Sequence, residues 1–167
     1  MRKMTQANLE TAFAGESQAR MKYTAFANKA EREGYPQVAK LFRAIAYAEQ
    51  VHAINHLREL GGIGSTADNL AAAVGGENFE NTEMYPAFDA VAKLQEEKGA
   101  IRSIHFALEA EKIHEALYGE AKESVAAGQD IEADSVYVCP VCGHTATDEA
   151  PDTCPICGLP KKKYRQF

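Results

Sequence analysis

Apolar residues recur with a helical period along four stretches of this chain. The first stripe reads Leu9, Ala12, Phe13, Ala19, Phe26, Ala27 and Ala30, with steps that keep to one helix face. Thr5 before it suits an N-cap and Gly34 after it suits a stop. A second stripe, Val38, Leu41, Phe42, Ile45, Leu57 and Leu60, opens at Pro36 and ends at Gly61-Gly62; proline is favoured in a first turn. A third helix is predicted over roughly 77–97, kinked by Pro86. A fourth is predicted over 99–127, with Ile101, Ile104, Leu108, Tyr118, Ala121 and Val125 on its stripe. Residues 61–76, rich in Gly, Ala and small polar residues, read as a long crossover between two helical hairpins, with a short helical turn near Leu70.

Polar residues interrupt these apolar faces at regular intervals. Glu16 and Tyr23 lie in the first stripe, and Glu49, His52 and His56 in the second. The third helix carries Glu80 and Glu83, and the fourth Glu111 and His114. Glu16 stands 18 residues before Gly34 and Glu80 stands 18 before Lys98, taken as the two hairpin turns. Glu49 follows its turn by 15 residues and Glu111 by 13, so antiparallel helices bring all four groups to one height. Two Glu-x-x-His motifs plus Glu from the other two helices form the ligand pattern of di-iron or di-manganese bundles with ferritin-like connectivity. An i, i+3 pair leaves one helix face together. Carboxylates buried there without counter-charge would be protonated or destabilising, and two divalent cations remove that conflict. Imidazole among carboxylates favours iron or manganese over magnesium or calcium. Glu10, Glu33, Glu96, Glu97 and Glu123 read as solvated surface, His56 as a hydrogen-bonded inner-face residue and His105 as structural. Tyr23, a phenol on the inner face, is expected to hydrogen-bond a ligand carboxylate.

The character changes after Gly128. A polar segment, 129–135, leads into 136–167, which holds Cys139-x-x-Cys142 and Cys154-x-x-Cys157, each closed by a glycine. About 30 residues cannot bury a sufficient core without a staple. Four cysteines in two such pairs supply one as a metal site; the spacing by itself fits zinc as well as iron. The expected organisation is a helical bundle over 1–128, a linker over 129–135 and a metal-knuckle domain over 136–167. The basic run Lys161-Lys162-Lys163-Tyr164-Arg165 reads as solvated surface.

Composition narrows the functional classes. A formal charge of −6 over 167 residues argues against a nucleic-acid partner. No apolar run reaches membrane-spanning length, so no membrane partner is expected. The start, MRKMTQANLETAF, lacks a signal-peptide layout. Paired cysteines without such a signal read as metal ligands in a reducing cytoplasm.

The chain resembles the rubrerythrins. The resemblance rests on Ala14-Gly15-Glu16-Ser17, Ala48-Glu49-Gln50-Val51-His52, Glu80-Asn81-Thr82-Glu83-Met84-Tyr85-Pro86, Glu111-Lys112-Ile113-His114 and the Cys-Pro-x-Cys-Gly pair. It implies a mainly α fold, a ferritin-like four-helix bundle with a small C-terminal rubredoxin-like domain. It implies a di-iron site, oxo- or hydroxo-bridged when oxidised, and iron on Cys139, Cys142, Cys154 and Cys157, with zinc as a substitute. Glu49 and Glu111 then resemble bridging carboxylates, Glu16 a terminal ligand of one iron, and Glu80 and His114 terminal ligands of the other. Glu83 and His52 resemble an exchanging pair, and with Tyr23 they are the residues assigned to catalysis. The implied activity is reduction of hydrogen peroxide to water in oxidative-stress defence. Electrons would come from NAD(P)H through a separate partner, such as an NAD(P)H–rubredoxin reductase or rubredoxin. A head-to-tail homodimer is expected, because the Cys domain is tethered about 24 Å from Glu111 along its helix. The alternative is a ferritin-like iron oxidase or store with a structural zinc ribbon.

Overall fold

The computed structural model describes residues 1–167, and the chain packs as two compact units, Met1–Gly64 and Ser65–Phe167. The first is an α-helical hairpin of α1 (Lys3–Arg32) and α2 (Pro36–Glu59). Its turn centres on Gly34, whose φ of 83° is open to glycine without strain, and Tyr35 N–H bonds back to the Ala30 carbonyl at 2.9 Å. The most buried residues along its seam are alanines: Ala27, Ala30, Ala39, Ala46 and Ala53. Side chains this small let the two helices approach closely. Tyr23, Phe26 and Phe42 form a ring cluster at one end, with centroids 5.7–6.2 Å apart.

The second unit begins with α3 (Thr66–Phe79), which replaces most of the expected crossover. Ser65 caps α3 reciprocally with Asp68: the Asp68 N–H bonds Ser65 Oγ at 3.2 Å and the Ser65 N–H bonds Asp68 Oδ2 at 3.1 Å. The run Leu70-Ala71-Ala72-Ala73 then supplies helix formers. Gly75-Gly76 weakens the apolar period, which explains why the segment reads as a loop in sequence. A π turn (Glu80–Met84) joins α3 to α4 (Tyr85–Leu94). Its cause is Pro86, which lacks an N–H and whose ring crowds the carbonyl four residues earlier. The turn widens, and Tyr85 N–H reaches the Glu80 carbonyl. The expected kink is therefore present as a π turn.

Helix α5 (Lys98–Ala126) packs on α3, the π turn and α4. The Cys segment follows as an antiparallel sheet in the order β2-β1-β3, from β1 (Val136–Val138), β2 (Thr145–Thr147) and β3 (Arg165–Gln166). Val138 pairs with both Thr145 and Arg165. The segment lies against the middle of its own chain's α5: Phe106 packs on the cysteine core, and Gly143 stands beside Ala110. No helix is long and apolar enough to cross a membrane.

Candidate metal centres

In the first unit Glu16, Glu49 and His52 bring one donor atom each to within 4.8 Å of one another. His52 Nδ1 lies 2.9 Å from Glu49 Oε2 and 3.9 Å from Glu16 Oε1. The i, i+3 step on α2 and the small seam residues are what bring these groups together. Tyr23 sits within the ring cluster, 6.1 Å from Phe42.

The second unit holds an equivalent group, Glu77, Glu111 and His114, with donors again within 4.8 Å. Glu111 and His114 were expected; Glu77 was not. Burial pushes Glu77 up to about 7, aided by its hydrogen bond to Glu111 and the charges of Glu111 and Glu80. Burial and the Glu111 charge also raise Glu80, so Glu80 belongs to the same acidic neighbourhood. Glu83 joins neither group. Tyr85 is a further unexpected neighbour: burial, then the charges of Glu80, Glu111 and Glu77, raise its phenol. The sequence carries Glu at 77, 80 and 83, one helical turn apart. Counting to the hairpin turn as if every residue were α-helical selects the later pair.

Two asparagines fix this segment on α5. Asn78 and Asn81 donate to Glu115 at 2.9 and 2.7 Å, and hold its carboxyl below the usual range. The oxygen of Asn81 is buried without a protein partner.

His114 is held from both sides. Nδ1 lies 2.5 Å from Glu111 Oε2, and Nε2 lies 2.9 Å from Thr145 Oγ1 and 3.3 Å from the Gly143 carbonyl. The Thr145 hydroxyl donates to that same carbonyl at 3.0 Å, so its lone pair is free to accept from the ring. Protonated on Nε2, the ring would donate to Thr145 and the Gly143 carbonyl and leave Nδ1 to face a metal among the carboxylates.

The four cysteines form two matched knuckles. Gly143 N–H bonds the Cys139 carbonyl at 3.0 Å, and Gly158 N–H bonds the Cys154 carbonyl at 2.9 Å. Both glycines have positive φ, 83° and 78°. Cys139 and Cys157 sulfurs lie 3.5 Å apart, and those of Cys142 and Cys154 3.4 Å. A tetrahedral site with metal–sulfur bonds of about 2.3 Å has edges of about 3.8 Å, so the set fits one ion. Burial raises the Cys142 thiol. At Cys154 burial opposes ionisation, but the Tyr164 hydroxyl and the Cys157 and Ile156 N–H groups outweigh it and bring the thiol to about 6. Backbone N–H groups thus point at sulfur, as a thiolate site requires.

Carboxylate–imidazole groups on a helical scaffold, with a separate four-thiolate knuckle, define a ferritin-like di-iron protein bearing a rubredoxin-like domain. Comparison with known proteins agrees. The Rubrerythrin family model matches residues 7–122, and the "Rubrerythrin, rubredoxin-like domain" model matches 137–165. Rubrerythrin-2 of Clostridium acetobutylicum is 44% identical, covering 98% of this chain and 97% of that relative. Nigerythrin of Nitratidesulfovibrio vulgaris is 37% identical, over 96% of this chain and 85% of the relative. The solved structure of fully reduced, all-ferrous nigerythrin has a TM-score of 0.59 at 33% identity, covering 98% of this chain and 86% of that one. The chain belongs to the rubrerythrin family, whose members are peroxidase-type oxidoreductases. Its donors are those of a di-iron carboxylate site and a four-cysteine iron site.

Proposed function

We propose that this protein reduces hydrogen peroxide to water in oxidative-stress defence. Each turnover takes two electrons and two protons per peroxide and yields two waters. The electrons come from NAD(P)H, through a separate reductase or a small redox carrier, and enter at the four-cysteine iron. A pair of irons, when bound, supplies the electrons that break the O–O bond.

Glu16, Glu49 and His52 of the first unit, and Glu77, Glu80, Glu111 and His114 of the second, are the residues that would serve as its ligands. Glu77 and Glu80 take the places first expected of Glu80 and Glu83. Their raised proton affinity is the mark of carboxylates crowded without a cation, and metal binding reverses it. His52, more exposed than the carboxylates beside it, is free to swing toward or away from the metal. The exchange of oxygen for imidazole donor would then involve His52 and a carboxylate of the second group. Tyr85, close to these carboxylates, would deliver a hydrogen bond or proton.

The observation that carries this reading is the contact of His114 Nε2 with the Gly143 carbonyl at 3.3 Å and Thr145 at 2.9 Å. Gly143 follows Cys142 directly, so a thiolate ligand and an imidazole ligand are joined by one peptide unit and one hydrogen bond. This differs from the expected electron path between chains. That expectation came from the length of α5, but the nine residues 127–135 span about 30 Å when extended. They return the Cys segment to His114 within the second unit. A homodimer remains the proposed assembly.

The test is anaerobic peroxide turnover with NADH and a rubredoxin reductase, combined with metal counting. Three irons per chain, visible thiolate-to-iron absorption bleached on reduction, and peroxide-dependent NADH oxidation are expected. Zinc in the cysteines of iron-replete protein, with no peroxide turnover, would instead identify an iron-handling protein with a zinc ribbon.

A further inference from the structure

The two cysteine knuckles are near twins, and one place where they differ bears on how the thiolate site is tuned. Cys139 N–H bonds the His144 carbonyl at 2.9 Å, and Cys154 N–H bonds the Leu159 carbonyl at 2.7 Å. His144 and Leu159 therefore hold the same position, each two residues after the second cysteine of its knuckle. Their backbone N–H groups serve sulfur in the same way, His144 for Cys142 and Leu159 for Cys157. Their side chains differ. Leu159 packs on the cysteine core, as an apolar residue should. His144 is a buried polar residue, only 7% exposed, and a buried imidazole requires hydrogen-bond partners.

Its partner is Tyr164. This residue lies in the basic run that reads as surface in the sequence, yet its ring packs on the cysteine core. The imidazole and phenol rings meet edge to face, with centroids 5.9 Å apart. Tyr164 Oη lies 3.0 Å from His144 Nδ1, and the same hydroxyl bonds the Cys154 sulfur. Imidazole, phenol and thiolate thus form one line, from the first knuckle across to the second.

A phenol has one proton to give. If the imidazole donates from Nδ1, that proton is left for sulfur. If Nδ1 offers a lone pair, nitrogen and sulfur compete for it. A donor on a ligand sulfur stabilises the iron–thiolate unit more in its reduced form, which carries one more negative charge. Such a donor therefore raises the reduction potential.

We propose that His144 holds Tyr164 as a donor to the Cys154 thiolate, and that this pair sets the reduction potential of the four-cysteine iron. Both are positioning residues, since neither touches substrate or iron. Reduction places one electron from the donor on the iron; no proton moves and no bond breaks. Without the pair, the iron accepts electrons from its donor less readily and gives them to the bundle more readily. The inference rests on iron, and not zinc, filling the cysteine site.

The experiment is an anaerobic spectroelectrochemical titration of the full-length, iron-loaded protein, following the visible thiolate-to-iron absorption. Wild type is compared with Tyr164→Phe, with His144→Leu, which places the twin knuckle's residue in the first, and with the double variant. Tyr137→Phe is the control, because it removes a phenol hydroxyl from β1 of the same domain. Tyr164→Phe should disfavour reduction by about tenfold, a fall of about 59 mV for one electron. His144→Leu should lower the potential by less. The double variant should match Tyr164→Phe, because His144 acts through the phenol, and Tyr137→Phe should match wild type. An unchanged or raised potential in either single variant overturns the inference; a pair with only a structural role would lower Tm and leave the potential in place. An equal fall in Tyr137→Phe also overturns it, by assigning the effect to the polarity of the domain. Additive falls in the double variant overturn it too, by making His144 independent of Tyr164. Wild-type protein that stays colourless, with zinc in its cysteines after maturation with iron, would mean that the functional reading fails first.

Discussion

Substituting Gly143 and Gly158 separately by alanine probes the link between the two metal sites. Both glycines adopt left-handed backbone, at φ 83° and 78°, in equivalent knuckle positions. An alanine side chain in either place costs about 1–2 kcal/mol of backbone strain. Neither pays heavily in sterics: a Cβ on Gly143 would meet only Ala110 Cβ at 3.6 Å, an ordinary contact, and one on Gly158 meets nothing within 4 Å. The two variants should therefore destabilise the Cys domain about equally. They differ in what their carbonyls touch. Gly143 accepts from both His114 and Thr145, at 3.3 and 3.0 Å. Alanine keeps this carbonyl but strains the knuckle that aims it at His114. Gly143→Ala should therefore slow transfer from the four-cysteine iron to the bundle, with Gly158→Ala near wild type. The assay is stopped-flow absorbance of the thiolate-bound iron after reduced protein meets peroxide. Equal slowing in both variants would show that general loosening of the domain matters and the His114 contact does not.

Other outcomes follow from the same geometry. Glu77→Gln should lower bundle iron, counted by elemental analysis, well below the level in Glu83→Gln; equal loss would restore Glu83 to the ligand set. Cys139→Ser should abolish NADH-driven turnover yet leave a single turnover of reduced protein with peroxide, measured by rapid mixing; loss of both would contradict the separation of roles. In metal-free protein Glu77 is raised from 4.5 to about 7. The folded state thus holds a proton that the unfolded state releases earlier, so the raised value costs stability as pH rises from about 4.5 to 7. The site is largely solvent-accessible, and screening reduces the effect to roughly 1 kcal/mol, or about 3 °C in Tm. Calorimetry of the apoprotein should show a higher transition near pH 5 than near pH 8 from this group, and Glu77→Gln should flatten that difference.

Helix existence was legible because the apolar period persists through α1, α2 and α5. The four cysteines were legible because local spacing alone defines two knuckles. The segment 61–76 was misread because its cap, Ser65 with Asp68, competes with a run of small residues that carries no clear stripe. Glu77 was not among the expected ligands because the count back from Lys98 selected Glu80, and three Glu residues spaced three apart leave such a count little to choose between. The position of the Cys domain was missed for another reason. A polar linker sets only the maximum reach, whereas Phe106, Ala110 and His114 on α5 select the docking point.

The most direct test of the central claim is rapid mixing of fully reduced protein with peroxide while the visible band of the four-cysteine iron is recorded. The account predicts that this iron becomes oxidised only when the bundle is loaded, with two electrons consumed per peroxide. It also predicts that a Glu49→Ala/Glu111→Ala variant keeps its four-cysteine iron reduced over the same interval. Oxidation at the wild-type rate in that variant would show that peroxide attacks the thiolate iron directly, and the proposed electron path would be wrong.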